Sequence, residues 1–237
     1  MLPATGTTEE PGVLDLSSVD YAYGDAMLLS DMNVRMEPGG FYFLTGPSGA
    51  GKTTFLKLCY LDLVPTSGDL LVFGKRREAM DRDAIARTRR RIGIIHQDCQ
   101  FIDHLNVYDN VTLPLQVAGR DPGAERASLT ELLRWVGLDH KMTSLPPQLS
   151  GGERQRAALA RAVITAPDLI LADEPTGNVD WEMSERLLSL LIELNQLGKT
   201  IVLATHDLPL IRSAKARVRT RVLRLKGGEL REAGADL

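Results

Sequence analysis

Phe41-Tyr42-Phe43-Leu44-Thr45-Gly46-Pro47-Ser48-Gly49-Ala50-Gly51-Lys52-Thr53-Thr54-Phe55-Leu56-Lys57-Leu58 is the stretch whose reading decides the fold. The apolar run Phe41–Leu44 predicts a buried strand, and Thr54 to Leu58 predicts a helix. Between them, Gly46 to Thr53 keeps the spacing of glycine, four residues, then Gly-Lys-Thr. Glycines let the backbone turn so that its amides face a phosphate. Lys52 adds a point charge within reach of β- and γ-phosphates, the Thr53 hydroxyl can ligate Mg²⁺, and the helix start contributes partial positive charge. The flanking strand and helix separate this P-loop from an ordinary glycine-rich turn, and they point to an α/β fold of the P-loop NTPase kind.

A second apolar strand, Leu169-Ile170-Leu171-Ala172, ends in the carboxylates Asp173 and Glu174. Strands that are apolar throughout belong to parallel sheets covered on both faces, where ligands collect at the carboxyl ends. Asp173 is then expected beside Mg²⁺, and Glu174 is placed to polarise an attacking water. Two acids after a strand also serve as helix caps, and it is the P-loop upstream that favours the chemical reading.

The 237 residues, 43% hydrophobic and 25% charged, suit one large α/β domain or a domain with a subdomain. Cys59 and Cys99 lie in no metal-ligand spacing and read as reduced thiols. Residues 1–12 carry Glu9 and Glu10 without a basic or apolar core, so they are expected to form a flexible tail, not a signal peptide. No apolar stretch approaches the roughly 18 residues of a membrane span. A net charge of −3 argues against nucleic acid as a partner. One basic strip stands out: Arg212, Lys215, Arg217, Arg219, Arg221, Arg224 and Lys226, with no acid among them. Alternation would put Arg217, Arg219 and Arg221 on one solvated strand face; contact with anionic lipid or a partner is the other reading.

Outward from the P-loop, Val13 to Val34 predicts an antiparallel β layer broken at Tyr23-Gly24-Asp25. A parallel core is expected from Phe41–Leu44, Ile92–Ile95, Leu169–Ala172 and Ile201–Ala204, closed by a hairpin around Gly227-Gly228. Helical periodicity over Val107–Val117, Ala124–Val136 and Gly152–Ile164 predicts an inserted helical subdomain at about 98–165, with Pro146-Pro147 stopping one helix. The whole domain is expected over 13–232.

Further motifs follow in order: Gln97 after a strand; Leu149-Ser150-Gly151-Gly152-Glu153; Asn178-Val179-Asp180; and His206 after Ile201–Ala204. Ser150, Gly151 and Gly152 open a helix, so their amides and the serine hydroxyl form an anion site with no cation of its own. With the P-loop and Asp173-Glu174, this ordered set resembles the nucleotide-binding domain of ATP-binding cassette (ABC) proteins from Val13 to Leu230. The resemblance implies a RecA-like parallel-sheet core, an antiparallel β layer, a helical subdomain and ATPase activity with ATP and Mg²⁺. It implies that two copies stack head to tail, each ATP lying between one P-loop and the other copy's signature at Leu149–Glu153. It further implies that Gln97 senses Mg²⁺ and the attacking water, that Asp180 belongs to a loop crossing the dimer interface, and that His206 senses the γ-phosphate. Tyr23 is expected to stack on adenine, with Tyr21 the alternative.

Ala172 to Asn178 is similar to the branch of that family serving mechanotransmitting membrane partners. His104 to Leu115, Leu145-Pro146-Pro147-Gln148, Glu193-Leu194-Asn195 and Thr205-His206-Asp207-Leu208 tilt the resemblance toward FtsE-type cell-division ATPases. Lipoprotein-release and macrolide-export ATPases are the neighbouring readings, and an ATP-gated scaffold with little hydrolysis is a further one. The division resemblance implies an integral membrane partner resembling FtsX and a place at the cytoplasmic face of the inner membrane. His96 and Val179 depart from the residues usual at their positions, and neither removes a catalytic group.

Overall fold

The computed structural model describes residues 12–177 and 179–233, so the tail expected over residues 1–12 lies, apart from Gly12, outside the described residues, as does Asn178. Two sheets organise the chain. The first is antiparallel: β1 (Leu14–Tyr23), β2 (Ala26–Met36), β4 (Ser67–Val72) and β5 (Lys75–Arg76), in the order β2-β1-β4-β5. Its first hairpin turns at Gly24, where Tyr23 pairs with Ala26, as the Tyr23-Gly24-Asp25 break predicts. The second sheet runs β10-β9-β3-β8-β7-β6, with β3 (Phe41–Thr45), β6 (Ile92–Ile95), β7 (Leu169–Asp173), β8 (Thr200–Ala204) and β9 (Thr220–Lys226) parallel, and β10 (Glu229–Glu232) antiparallel at the edge.

Every residue of β3, β7 and β8 is buried. That explains their uninterrupted apolar sequence, because both faces of the sheet are covered. One face packs on the antiparallel layer through Leu44, Leu171, Val202 and Leu223. The other joins the helices through Phe43, Ile170, Ile201 and Val222. Helices α3 (Val107–Val117), α4 (Arg126–Trp135) and α5 (Gly151–Val163) fall between β6 and β7 in sequence, and Leu115, Leu133 and Leu159 share this second apolar cluster. α5 therefore belongs to the helical insertion and to the core sheet together. Its tightest approach is at Gly93 of β6, where a Cβ would lie 2.3 Å from the Ala162 carbonyl oxygen. Gly93→Ala is expected to cost about 2 kcal/mol or more and to lower the thermal midpoint by several degrees, checked by urea and thermal denaturation.

Four helices were expected only in part or not at all. α1 (Lys52–Cys59) begins inside the P-loop; α2 (Arg82–Arg89), α6 (Trp181–Gln196) and α7 (Leu208–Lys215) each start from an aspartate whose side chain accepts a backbone N–H three residues on: Asp81, Asp180 and Asp207. Pro146-Pro147 does not stop a helix. α4 has already ended at Trp135, and the proline pair opens a 3₁₀ turn at Pro146–Gln148, where a missing N–H costs nothing. The basic strip does not share one strand face either, since β9 starts at Thr220. Arg217 lies before it and donates to Ser189, whereas Arg221 forms a two-point ion pair with Glu232 across the edge hairpin.

Candidate active site

Because β3, β6, β7 and β8 run parallel, their carboxyl ends open on the same edge of the sheet, and the residues that follow them converge there. Gly46 to Thr53 leave β3, Gln97 follows β6, Asp173 and Glu174 end β7, and His206 follows β8. All four segments line one cleft of about 620 Å³, together with Leu28 of β2 and Gly177. The expected constellation of P-loop, Gln97, Asp173, Glu174 and His206 is thus brought together by backbone topology alone. Leu28 carried no signal in the sequence; it reaches the cleft because the antiparallel layer packs against the P-loop, with Leu28 and Leu29 facing Gly51.

Gly46 could be no other residue without a backbone shift. Its φ is 155°, and a Cβ would sit 2.4 Å from the Leu225 carbonyl oxygen on β9. The loop then curls over the Lys52 ammonium, which donates to the carbonyls of Gly46 at 2.9 Å and Pro47 at 3.3 Å and lies 3.5 Å from Glu174 Oε1. Lys52 is only 8% exposed. A buried ammonium with carbonyl partners and one carboxylate is poised to exchange those carbonyls for phosphate oxygens.

Glu174 is set by strain. Its φ of 45° is unusual for a residue with a side chain, and it is held by its own N–H to the Ala204 carbonyl (2.9 Å) and by its carbonyl to the Gly177 N–H (3.1 Å). The turn aims the carboxylate between two neighbours, Lys52 on one side and His206 Nδ1 on the other, at 3.1 and 3.0 Å from the two oxygens. The imidazole itself is 75% exposed and faces the open cleft.

Asp173 is buried. Its Oδ2 accepts the Thr53 hydroxyl at 2.7 Å, and its Oδ1 has no hydrogen-bond partner among the described residues. A buried carboxylate oxygen left bare beside a hydroxyl is costly unless a hard cation completes it, and oxygen donors of this kind suit Mg²⁺. Among the described residues no cluster of three or more His, Cys, Asp or Glu could hold a metal ion by itself.

The signature residues lie elsewhere. Ser150, Gly151, Gly152 and Glu153 are not among the residues lining the cleft. They start α5 as a reciprocal cap: Ser150 Oγ accepts the Glu153 N–H at 3.3 Å, and Glu153 Oε2 accepts the Ser150 N–H at 2.8 Å. The backbone hydrogen bond from Ser150 holds the Glu153 carboxyl below its ordinary range. The expectation of an anion site without a cation needs correction on two counts. The Ser150 amide is already taken by Glu153, and Lys141 stands 3.5 Å from that carboxylate. The hydroxyl bond is long, leaving the serine oxygen and the two glycine amides as the turn's available polar groups.

Asp180 caps α6 through the Met183 N–H at 2.8 Å and, like the signature, does not line the cleft. Tyr23 is 51% exposed at the hairpin tip, whereas Tyr21 is buried and meets it edge-on at 4.9 Å. Of the two tyrosines Tyr23 alone is exposed, and like the signature it does not line the cleft. The cysteines are buried, which pushes the Cys99 thiol up to about 11 and Cys59 higher still, so both stay protonated and inert as structural thiols.

A P-loop, an acidic strand end and a histidine meeting at the carboxyl edge of a parallel sheet, with an antiparallel layer beside it, define a nucleotide-binding ATPase cassette. The ABC transporter family model matches residues 29–177. The chain is 42% identical over 214 residues to the cell division ATP-binding protein FtsE of Escherichia coli, covering 90% of this chain and 94% of that protein, and 38% identical over 207 residues to FtsE of Bacillus subtilis, covering 87% and 91%. Among solved structures, a bacterial ABC transporter cassette in dimeric form superposes with a TM-score of 0.83 at 34% identity, over 93% of this chain and 97% of that one. The same cassette in a post-hydrolysis dimer bound to ADP and Pi gives 0.83 at 35%. The chain belongs to the ABC transporter family of ATPases and, within it, to the FtsE cell-division ATP-binding proteins.

Proposed function

We propose that the chain, as one cassette over 13–232 with a helical subdomain at about 98–165, is the ATP-hydrolysing subunit of an FtsEX-like complex acting in cell division. Two copies would close head to tail on two ATP molecules and drive a membrane protein resembling FtsX, which controls cell-wall hydrolysis. The observation that carries this reading is the division of labour: one cleft gathers Lys52, Thr53, Gln97, Asp173, Glu174 and His206, while the serine and glycines of the signature lie outside it. A site so divided is completed by a second chain.

On this reading the P-loop amides from Gly46 to Thr54 and Lys52 take the phosphates, Tyr23 stacks on adenine, and Ser150, Gly151, Gly152 and Glu153 of the second copy close over the γ-phosphate, with Asp180 at the interface. Thr53, Asp173 and Gln97 would hold Mg²⁺, which when bound would supply positive charge to offset the phosphates. Glu174 orients a water and takes its proton as the water oxygen bonds to the γ-phosphorus and the bond to the bridging oxygen breaks. His206 holds the Glu174 carboxylate in place and meets the γ-phosphate. The intact Glu174–His206 pair weighs against a scaffold that never hydrolyses.

Among the described residues no helix is long and apolar enough to cross a membrane, so attachment to the cytoplasmic face of the inner membrane would run through the partner. Purifying the tagged chain with its native membrane partner tests this. A protein resembling FtsX is expected; recovery of a lipoprotein-release or macrolide-export permease in its place would overturn the division role.

A further inference from the structure

The signature helix buries a charge that the catalytic cleft does not use. Arg156 sits on α5, one turn beyond Gly152, and is only 7% exposed. No carboxylate pairs with it among the described residues. Its Nη1 donates to the Met183 thioether sulfur at 2.9 Å, and its Nε is buried without a hydrogen-bond partner among the described residues. A thioether is a weak acceptor, and a guanidinium Nε kept from water with no partner is expensive to hold.

Met183 is also what presses on the signature turn. A Cβ on Gly152 would lie 2.9 Å from Met183 Cε, 3.0 Å from Cγ and 3.1 Å from Sδ, so the thioether occupies the space where any other residue at 152 would begin. The same Met183 gives its backbone N–H to Asp180, and Ser184 next to it donates to the Asp180 carbonyl at 3.0 Å. Arg156, Met183 and Gly152 therefore form one packed junction. It ties the start of the signature helix to the start of α6, and through that cap to Asp180.

We propose that Arg156 is a positioning residue: by clamping Met183 it fixes the signature turn and the Asp180 loop of one chain as a unit, which that chain presents to the ATP held by its partner. This rests on the head-to-tail reading above. Its consequence is that Arg156 acts on the partner's ATP site and not on the site of its own P-loop.

Mixed dimers of two differently tagged full-length chains test it. One chain carries Glu174→Gln, so its own P-loop site is silent and the dimer has a single active site, built from the other chain's P-loop and the Glu174→Gln chain's signature. Arg156→Met on the Glu174→Gln chain should lower kcat about tenfold or more with KM for ATP little changed; placed on the other chain it should change kcat less than twofold. Arg156→Lys, which keeps a buried cation but not the planar fork, should restore only part of the rate. A loss of rate equal in both placements, or no loss in either, overturns the proposal, since general destabilisation does not depend on which chain carries it. Ser150→Ala, which removes the signature hydroxyl without adding bulk or charge to the interface, separates the two ideas in the same two placements: if its effect also ignores placement, the head-to-tail reading fails; if it follows placement while Arg156→Met does not, only the clamp fails.

Discussion

Replacing Glu174 with glutamine is expected to lower ATP turnover by about 10²–10⁴-fold while ATP still binds. The substitution keeps the side chain's size and its reach to His206 Nδ1, now 3.0 Å from the carboxylate, and it removes the anion 3.5 Å from the Lys52 ammonium. What is lost is a base in a position the backbone has been strained to provide, at a φ of 45°. Steady-state phosphate release measures the rate and equilibrium dialysis measures the retained nucleotide. Turnover within about threefold of the unsubstituted chain would remove Glu174 from its role. Loss of binding together with turnover would mean that the carboxylate organises the cleft and does not act on water.

The second large effect is expected at Lys52. Lys52→Ala deletes a nearly buried ammonium held by the Gly46 and Pro47 carbonyls and by Glu174. Without it, phosphates entering the cleft meet Asp173 and Glu174 uncompensated. Truncating one partner of a buried charge pair costs about 2–5 kcal/mol, so nucleotide affinity should fall roughly thirtyfold at the least. Calorimetric titration with ATP reads the change, and a thermal melt checks that the fold survives. A loss of less than about threefold would show that the loop amides bind phosphate unaided.

The two substitutions separate binding from chemistry within one cleft. Lys52→Ala should weaken both, whereas Glu174→Gln should spare binding. That pattern follows from where the two groups sit: Lys52 lies under the loop that receives phosphate, and Glu174 follows β7, two strands away in the sheet, facing the histidine.

Much of this was legible in the chain itself. Phe41–Leu44, Ile92–Ile95, Leu169–Ala172 and Ile201–Ala204 read as buried strands because parallel strands covered on both faces have no polar positions to interrupt them, and each is found within one residue of its expected ends. The P-loop was legible because its chemistry fixes both residue type and spacing. Helix α2 was not, since Arg82–Arg89 is mostly charged or small and buries only Thr88. Helix α6 does carry signals, an Asp180 cap and leucines at 187, 188, 190 and 191, but the family resemblance implies a loop at Asp180, and a cap and a loop residue look alike in sequence. The strained turn at Glu174 and the Arg156–Met183 contact could not be read at all. The first depends on Ala204 of a neighbouring strand, and the second joins residues 27 apart on different helices.

Pro146-Pro147 shows the opposite error. Proline ends helices often enough that the pair reads as a stop in sequence, yet proline is equally at home in the first turn of one, and only the position of Trp135 at the end of α4 decides between the two.

If each ATP site is built from two chains, nucleotide must control the mass of the particle. The most direct measurement is the molar mass of the Glu174→Gln chain by light scattering, with and without MgATP. The expected mass is 26.0 kDa without nucleotide and twice that with it, and adding Ser150→Arg to the same chain should keep the mass at 26.0 kDa while ATP still binds. A chain that binds MgATP and remains at 26.0 kDa with its signature intact would contradict it.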